Sequence, residues 1–175
     1  VIEPTLTPAL LESLIAREIE DRIRIYSTAP TRLILDTSDM PALRARFGAR
    51  LITGSMFDAD IKALPFADDT FAATIGIHLL EQLDGKELAN VLAECARLAP
   101  VNIWVLRAEL LRGNILRSTQ NYNGSYTTEI GGDWLIRTLT TWSGTWNLRG
   151  DRFRLCPGGI LVFWKEQEQF SPCSA

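Results

Sequence analysis

Apolar residues first recur at a helical spacing: Leu11, Leu14, Ile15, Ile19 and Ile23 repeat close to every 3.6 positions, through about Arg24. Thr7 and Pro8 precede that run and suit an N-cap hydroxyl and a first-turn proline. The apolar run Leu33-Ile34-Leu35 then ends in Asp36 and reads as a short strand. Residues 41–47 read as a brief helix stopped by Gly48, and residues 50–57 as a second strand. Residues 72–77 are apolar at nearly every position, the pattern of a parallel strand covered on both faces. Asp84-Gly85 opens a helix that carries Leu88, Val91, Leu92, Cys95 and Leu98 on one face. Pro100 ends it, and residues 102–107 supply the next strand.

Beyond this point the composition shifts. Residues 112–128 are polar and rich in Gly and Asn, which predicts a long loop or irregular insertion. Gly132-Asp133 leads a helix through Trp142, and residues 146–155 and 160–165 form a hairpin around Pro157-Gly158-Gly159. Strands alternating with helices predict an α/β fold, a doubly wound and mostly parallel sheet with an antiparallel C-terminal edge hairpin. Six strands are expected in it. The whole chain, 1–175, reads as one domain: a helical segment over 1–30, an α/β core over 31–166 and a tail over 167–175.

Charge narrows the partners. The chain carries 18 basic and 21 acidic residues for a net charge of −3, so nothing electrostatic favours nucleic acid. Arginine supplies most of the basic residues, spread along the chain without a block. No apolar run reaches the roughly 18–20 residues that span a bilayer, and the start lacks the pattern of a secretion signal. Cys95, Cys156 and Cys173 are odd in number and lack metal-ligand spacing, so no metal is expected and the thiols read as reduced. An intracellular soluble protein, of cytoplasm or organelle matrix, is the expectation. Asn123-Gly124-Ser125 then reads as a loop sequence and not as a glycosylation site.

Leu64-Pro65-Phe66, the turn Asp68-Asp69-Thr70-Phe71 and the strand leading into His78-Leu79-Leu80-Glu81-Gln82-Leu83 carry the most specific signal. In this order and spacing they resemble the class I S-adenosylmethionine-dependent methyltransferases, of the methyltransferase type 11 kind, over about residues 31–166. The resemblance implies a Rossmann-like fold and places the loop of residues 64–71 at the carboxyl-end rim of the sheet. It also implies a glycine-rich cofactor loop after the first strand, because close approach of backbone to ligand needs residues without a Cβ. Here that strand ends in Asp36 and continues Thr37-Ser38-Asp39-Met40-Pro41, so Asp36 fits the acidic position while every glycine is replaced. A second alignment makes Asp36 the ribose-binding acid at the end of the second strand. On either one, a strand–helix unit of the family is missing, and the chain reads as degenerate and shortened.

Asp60-Ile61-Lys62-Ala63-Leu64-Pro65-Phe66 matches the family's spacing for an aspartate that reaches the adenine amino group, with Ile61 flanking the ring. The ordinary alternative makes Asp60 one of several solvated loop acids. His78, the only histidine, ends the strand that borders the implied pocket. It suits proton transfer near neutral pH, or serves as a structural strand-end residue. Glu81 is expected to cap the next helix or pair beside it. Trp134, Trp142, Trp146 and Trp164 gather in the last third, and the first two read as core.

Three functions fit these observations. The first is a methyltransferase-fold pseudoenzyme without catalysis, a binding or structural subunit that pairs with another protein chain and needs no cofactor. The second is an active S-adenosylmethionine-dependent methyltransferase acting on a small-molecule substrate, with Asp36, Asp60, Ile61 and His78 around the cofactor and His78 as the catalytic residue. The third is a Rossmann-like module sensing another adenine-containing ligand.

Overall fold

The structure, a computed structural model, describes residues 7–29, 32–53, 64–107, 117–154 and 158–166. Helix α1 spans Pro8–Tyr26; Thr7 Oγ1 caps it by accepting from the Leu10 N–H at 3.3 Å, and Pro8 fills the first turn, where no N–H is needed. Strand β1 is Ile34–Asp36, helix α2 is Pro41–Phe47 and strand β2 is Leu51–Thr53. Gly48, at φ 57°, turns the chain out of α2 in a conformation that a Cβ disfavours. Strand β3 is Ala73–Ile77, helix α3 is Gly85–Leu98 and strand β4 is Val101–Leu106. Asp84 caps α3 by accepting from the Lys86 and Glu87 N–H groups, both at 2.8 Å, and Glu87 returns the bond to the Asp84 N–H. Strands β5 (Arg117–Gln120) and β6 (Tyr126–Glu129), helix α4 (Gly132–Thr140) and strands β7 (Trp146–Arg152) and β8 (Gly159–Lys165) complete the described elements.

The main sheet has six strands in the order β2-β1-β3-β4-β8-β7. Strands β2, β1, β3 and β4 are parallel, and β8 and β7 run antiparallel at the C-terminal edge. This is the predicted doubly wound, mostly parallel sheet with its closing hairpin. The parallel strands β1 and β4 are buried at every position, as expected of strands with helices on both faces. On one face Ile15, Ile19 and Ile23 of α1 and Leu43 and Phe47 of α2 meet Ile34, Ile75, Ile103 and Val162. On the other, Leu88, Val91, Leu92 and Cys95 of α3 and Leu135 and Leu139 of α4 meet Trp104, Leu106, Leu161 and Phe163. Burial on both faces removes enough apolar surface to hold the strands in register.

Two expectations are corrected. The described part of the 112–128 stretch is not irregular: β5 and β6 form a separate antiparallel hairpin. Its turn closes through Asn121 N–H to Ser125 O at 2.7 Å, with Gly124 at φ 82°. Strand-favouring Thr and Tyr residues form the ladder without the apolar alternation that announces a half-buried strand. The second correction concerns residues 64–71, which lie at the amino-end rim of the sheet. The Phe71 N–H donates to Leu98 O at the end of α3 and the Ala72 N–H to Leu33 O just before β1. This loop feeds β3 from below, so it cannot stand at the carboxyl ends.

The tryptophans of the last third are half-buried. Trp134, Trp142 and Trp146 pack on the α3–α4 core, where Trp142 and Trp146 meet edge to face at 5.2 Å. Trp164 lies on Tyr26 of α1 at 4.4 Å on the opposite face. Among the described residues no helix is long and apolar enough to cross a membrane, and no cluster of His, Cys, Asp and Glu could hold a metal. Cys95 is a free, buried thiol whose burial pushes its pKa up to about 12, which makes it inert.

Candidate functional site

The strand order reverses between β1 and β3: the chain leaves β1 for β2 on one side and returns to β3 on the other. In open α/β sheets ligands bind outside the carboxyl ends of the strands at such a point. The residues there are Asp36-Thr37-Ser38-Asp39 after β1 and His78-Leu79-Leu80-Glu81 after β3, with Arg107 following β4. Strand β1 therefore holds the central position, as in the first of the two alignments. Asp39 and His78 both adopt positive φ, 54° and 53°. That region is uncommon for residues with a Cβ, though Asp and His reach it more readily than most.

Asp36 is completely buried, and its carboxylate is committed to its own loop. Oδ1 accepts from the Ser38 N–H at 2.9 Å and the Ser38 hydroxyl at 2.6 Å, while Oδ2 accepts from the Met40 N–H at 3.3 Å. Thr37 turns inward as well, its N–H and its hydroxyl both donating to Ile75 O, at 2.9 and 2.7 Å. Asp39 pairs with Arg44. The backbone donors of Thr37, Ser38 and Met40 are thus consumed inside the chain. A loop that cradles a ligand aims such donors outward from residues that permit close approach. The loop after β1 does not fit that role for the cofactor of the resemblance.

Across the gap, the His78 N–H donates to Val105 O at 2.9 Å and its carbonyl accepts from Gln82 Nε2 at 2.6 Å. Its half-buried imidazole has a pKa below the ordinary 6.5, chiefly because burial disfavours the charged ring. Glu81 pulls it back up and Arg107 pushes it down. Burial thus favours the neutral ring. Glu81 corrects another expectation: helix capping falls to Asp84 and Glu87, while Glu81 is buried at 6% exposure. Its Oε1 accepts from the Arg107 N–H at 2.8 Å, and its Oε2 has no hydrogen-bond partner among the described residues. A carboxylate oxygen left this way costs free energy unless something supplies a donor.

Trp104 closes the floor of the site. Its ring lies over Gly76 of β3, where an added Cβ would fall 2.1 Å from Cζ3 and 3.3 Å from Thr37 Oγ1. Only glycine at position 76 lets the ring in. The indole is fully buried and its Nε1 finds no acceptor among the described residues. Sequence reasoning passed over Trp104 and misassigned Glu81. The flanking Leu79, Leu80 and Leu83 were the available signal that Glu81 sits in an apolar setting. Asp36 and His78 are brought to the same switch point, whereas Asp60 and Ile61 lie outside the described residues.

No family model and no curated protein sequence matches the chain. Solved structures do. The amino pentose methyltransferase CalS10 from Micromonospora echinaspora, bound to S-adenosylmethionine, superposes with a TM-score of 0.58 at 14% identity, over 89% of this chain and 92% of that one. The Burkholderia thailandensis 1,6-didemethyltoxoflavin-N1-methyltransferase, with 1,6-didemethyltoxoflavin and S-adenosylhomocysteine bound, gives 0.52 at 12% identity over 96% and 94%. The [4+2]-cyclase SpnF gives 0.51 at 14% identity over 76% and 60%. The chain has the fold of the class I S-adenosylmethionine-dependent methyltransferases. At these identities the likeness is one of fold.

Proposed function

We propose that this protein uses the methyltransferase fold without catalysing methyl transfer, as a binding or structural subunit of a larger intracellular assembly. One observation carries the reading: the loop after β1 contains no glycine, and Asp36 and Ile75 absorb the N–H groups of Thr37, Ser38 and Met40. To receive the methionine end of S-adenosylmethionine the loop would have to break those bonds, each worth about 0.5–1.5 kcal/mol net. It would also have to leave the Asp36 carboxylate buried without them. That the fold hosts other chemistry agrees with the name of SpnF, a [4+2]-cyclase. Its cover in the assembly is another protein chain, with half-buried tryptophans such as Trp146 at the contact.

A second reading, an active methyltransferase acting on a small molecule, draws on CalS10 and the toxoflavin enzyme, whose structures hold S-adenosylmethionine or S-adenosylhomocysteine. Calorimetric titration with both compounds decides between the two. The expected result is no binding heat at low micromolar concentration. A micromolar dissociation constant, about −8 kcal/mol, overturns the noncatalytic reading, and Asp60→Ala should then weaken binding by removing an acceptor from the adenine amino group.

A further inference from the structure

A concave feature among the described residues lies away from the switch point, two strands removed from β3. A cleft of about 520 Å³ opens between α1 and the β7–β8 hairpin. It lies toward the carboxyl-end rim, because Leu106 at the end of β4 pairs with Gly159, and Gly159 pairs with Arg152. Its volume falls among small-molecule sites, which run from about 300 to 1,000 Å³. The apolar part is Ile15 of α1 and Ile160 of β8, at 6% and 2% exposure, with Phe153 half-buried beside them.

The polar lining inverts the charge of the molecule. The chain as a whole is acidic, at −3, yet Arg22, Arg149, Arg152 and Arg154 converge on this cleft against only Glu18 and Asp151. Those two acids are already engaged. Arg22 pairs with Glu18 at 3.4 Å and Asp151 at 3.2 Å, and Asp151 also accepts from Arg149 Nε at 3.0 Å. The guanidiniums of Arg152 and Arg154 have no carboxylate among the described residues. Two arginines of the lining with no carboxylate partner among the described residues, beside a ring and an aliphatic floor, match one ligand chemistry. The forks take a planar or tetrahedral oxyanion through paired N–H donors, and the floor takes an apolar body.

We propose that this cleft binds a small organic anion, a carboxylate or phosphate monoester carried on an apolar group. The anion lies between Arg152 and Arg154, and the body against Phe153, Ile15 and Ile160. The site does not rest on the cofactor reading, since it shares no residue with the switch point.

The test is a nuclear magnetic resonance titration of the ¹⁵N-labelled protein at low ionic strength with benzoate, phenyl phosphate and uncharged benzyl alcohol. Both anions should shift the amides of Ile15, Phe153 and Ile160 saturably, and the alcohol should bind at least about tenfold more weakly. The tighter anion identifies carboxylate or phosphate as the preferred group. The charge reversal R152E/R154E should lower anion affinity by about tenfold or more and leave the melting temperature unchanged, because both side chains are exposed. If the double reversal unfolds the chain, R154Q alone should read the same direction of loss. Equal binding of benzyl alcohol, undiminished affinity in the variants, or shifts centred on Thr37 and His78 would each overturn the proposal. S-adenosylhomocysteine added to the same sample is read at the amides of Thr37 and Ser38, so failure of one reading leaves the other standing.

Discussion

The two rims of the sheet are built on opposite terms. At the amino-end rim, Arg97 uses all its donors to fix residues 64–68. Nε and Nη2 bond Glu94, Nη1 bonds Phe66 O and Asp68 at 2.8 Å each, and Nη2 reaches Leu64 O at 3.1 Å. Glu94, buried at 7% exposure, returns a bond to the Leu64 N–H at 2.9 Å. At the carboxyl-end rim, Glu81 Oε2 and Trp104 Nε1 have no hydrogen-bond partner among the described residues; positive φ occurs at both rims, at Asp39 and His78 here and at Asp69 in the opposite loop. The bonds that Arg97 and Glu94 share with the loop mark the first rim as a structural brace; the open oxygen of the buried Glu81 carboxylate marks the second as the place where a ligand would gain something. The segment that most resembles the methyltransferases is therefore split: its L-P-F half braces the fold and its histidine half reaches the switch point.

Removing the brace should cost the most. Arg97→Ala removes two charge-assisted bonds from the buried Glu94 carboxylate, leaving it only the Leu64 N–H, and takes a donor from each of two loop carbonyls, for a loss of about 2–4 kcal/mol in urea unfolding, discounted for the partial exposure of Arg97. Arg97→Lys should recover part of it. An effect below about 0.5 kcal/mol would erase the contrast between the rims. Gly76→Ala comes next, because its Cβ meets the Trp104 ring, and overpacking of this kind costs about 1–3 kcal/mol. Indole fluorescence should shift along with the lost stability, and unchanged emission would mean that the ring does not close the floor.

Effects on proton equilibria are smaller and probe the second rim directly. Glu81→Gln removes the charge that supports the His78 imidazolium, so the pKa of the sole histidine should fall further, read from its ring resonances. A rise would contradict the pairing. His78→Asn tests stability, with asparagine chosen because it tolerates the same positive φ. Burial depresses the folded-state pKa of His78, so its contribution is present above 6.5 and is lost as pH falls through the lower folded value. The variant should flatten the acid side of the stability profile by a few tenths of a kcal/mol, small because the ring is half-exposed.

How much the sequence disclosed follows from what writes a pattern into it. Nearly continuous apolar runs such as residues 72–77 and 102–107 announce buried parallel strands, and their order yields the sheet. The hairpin of β5 and β6 stayed hidden because its Ser, Thr and Gln positions are polar whether exposed, as Ser118, Thr119 and Gln120 are, or buried, as Thr128 is, and so leave no apolar alternation. The position of residues 64–71 was misread because a motif fixes order along the chain and not the end of the strand at which it stands. At the site, Asp36 and His78 were visible as strand-end polar residues. The inward use of Asp36 was not, since hydrogen bonds to Ser38 and Met40 depend on a turn geometry that no periodicity records.

Strand β8 has a kinetic consequence. It lies between β4 and β7, yet β4 ends at Leu106 and β8 begins only at Gly159. While the chain leaves the ribosome at about 5–20 residues per second, the open edge of β4 waits several seconds for its neighbour. During that interval its unpaired backbone can template pairing with another nascent chain, and such long-range closure also slows spontaneous refolding. A peptide copying residues 159–165, supplied in excess during refolding, should compete for that edge and trap the chain before its sheet is complete.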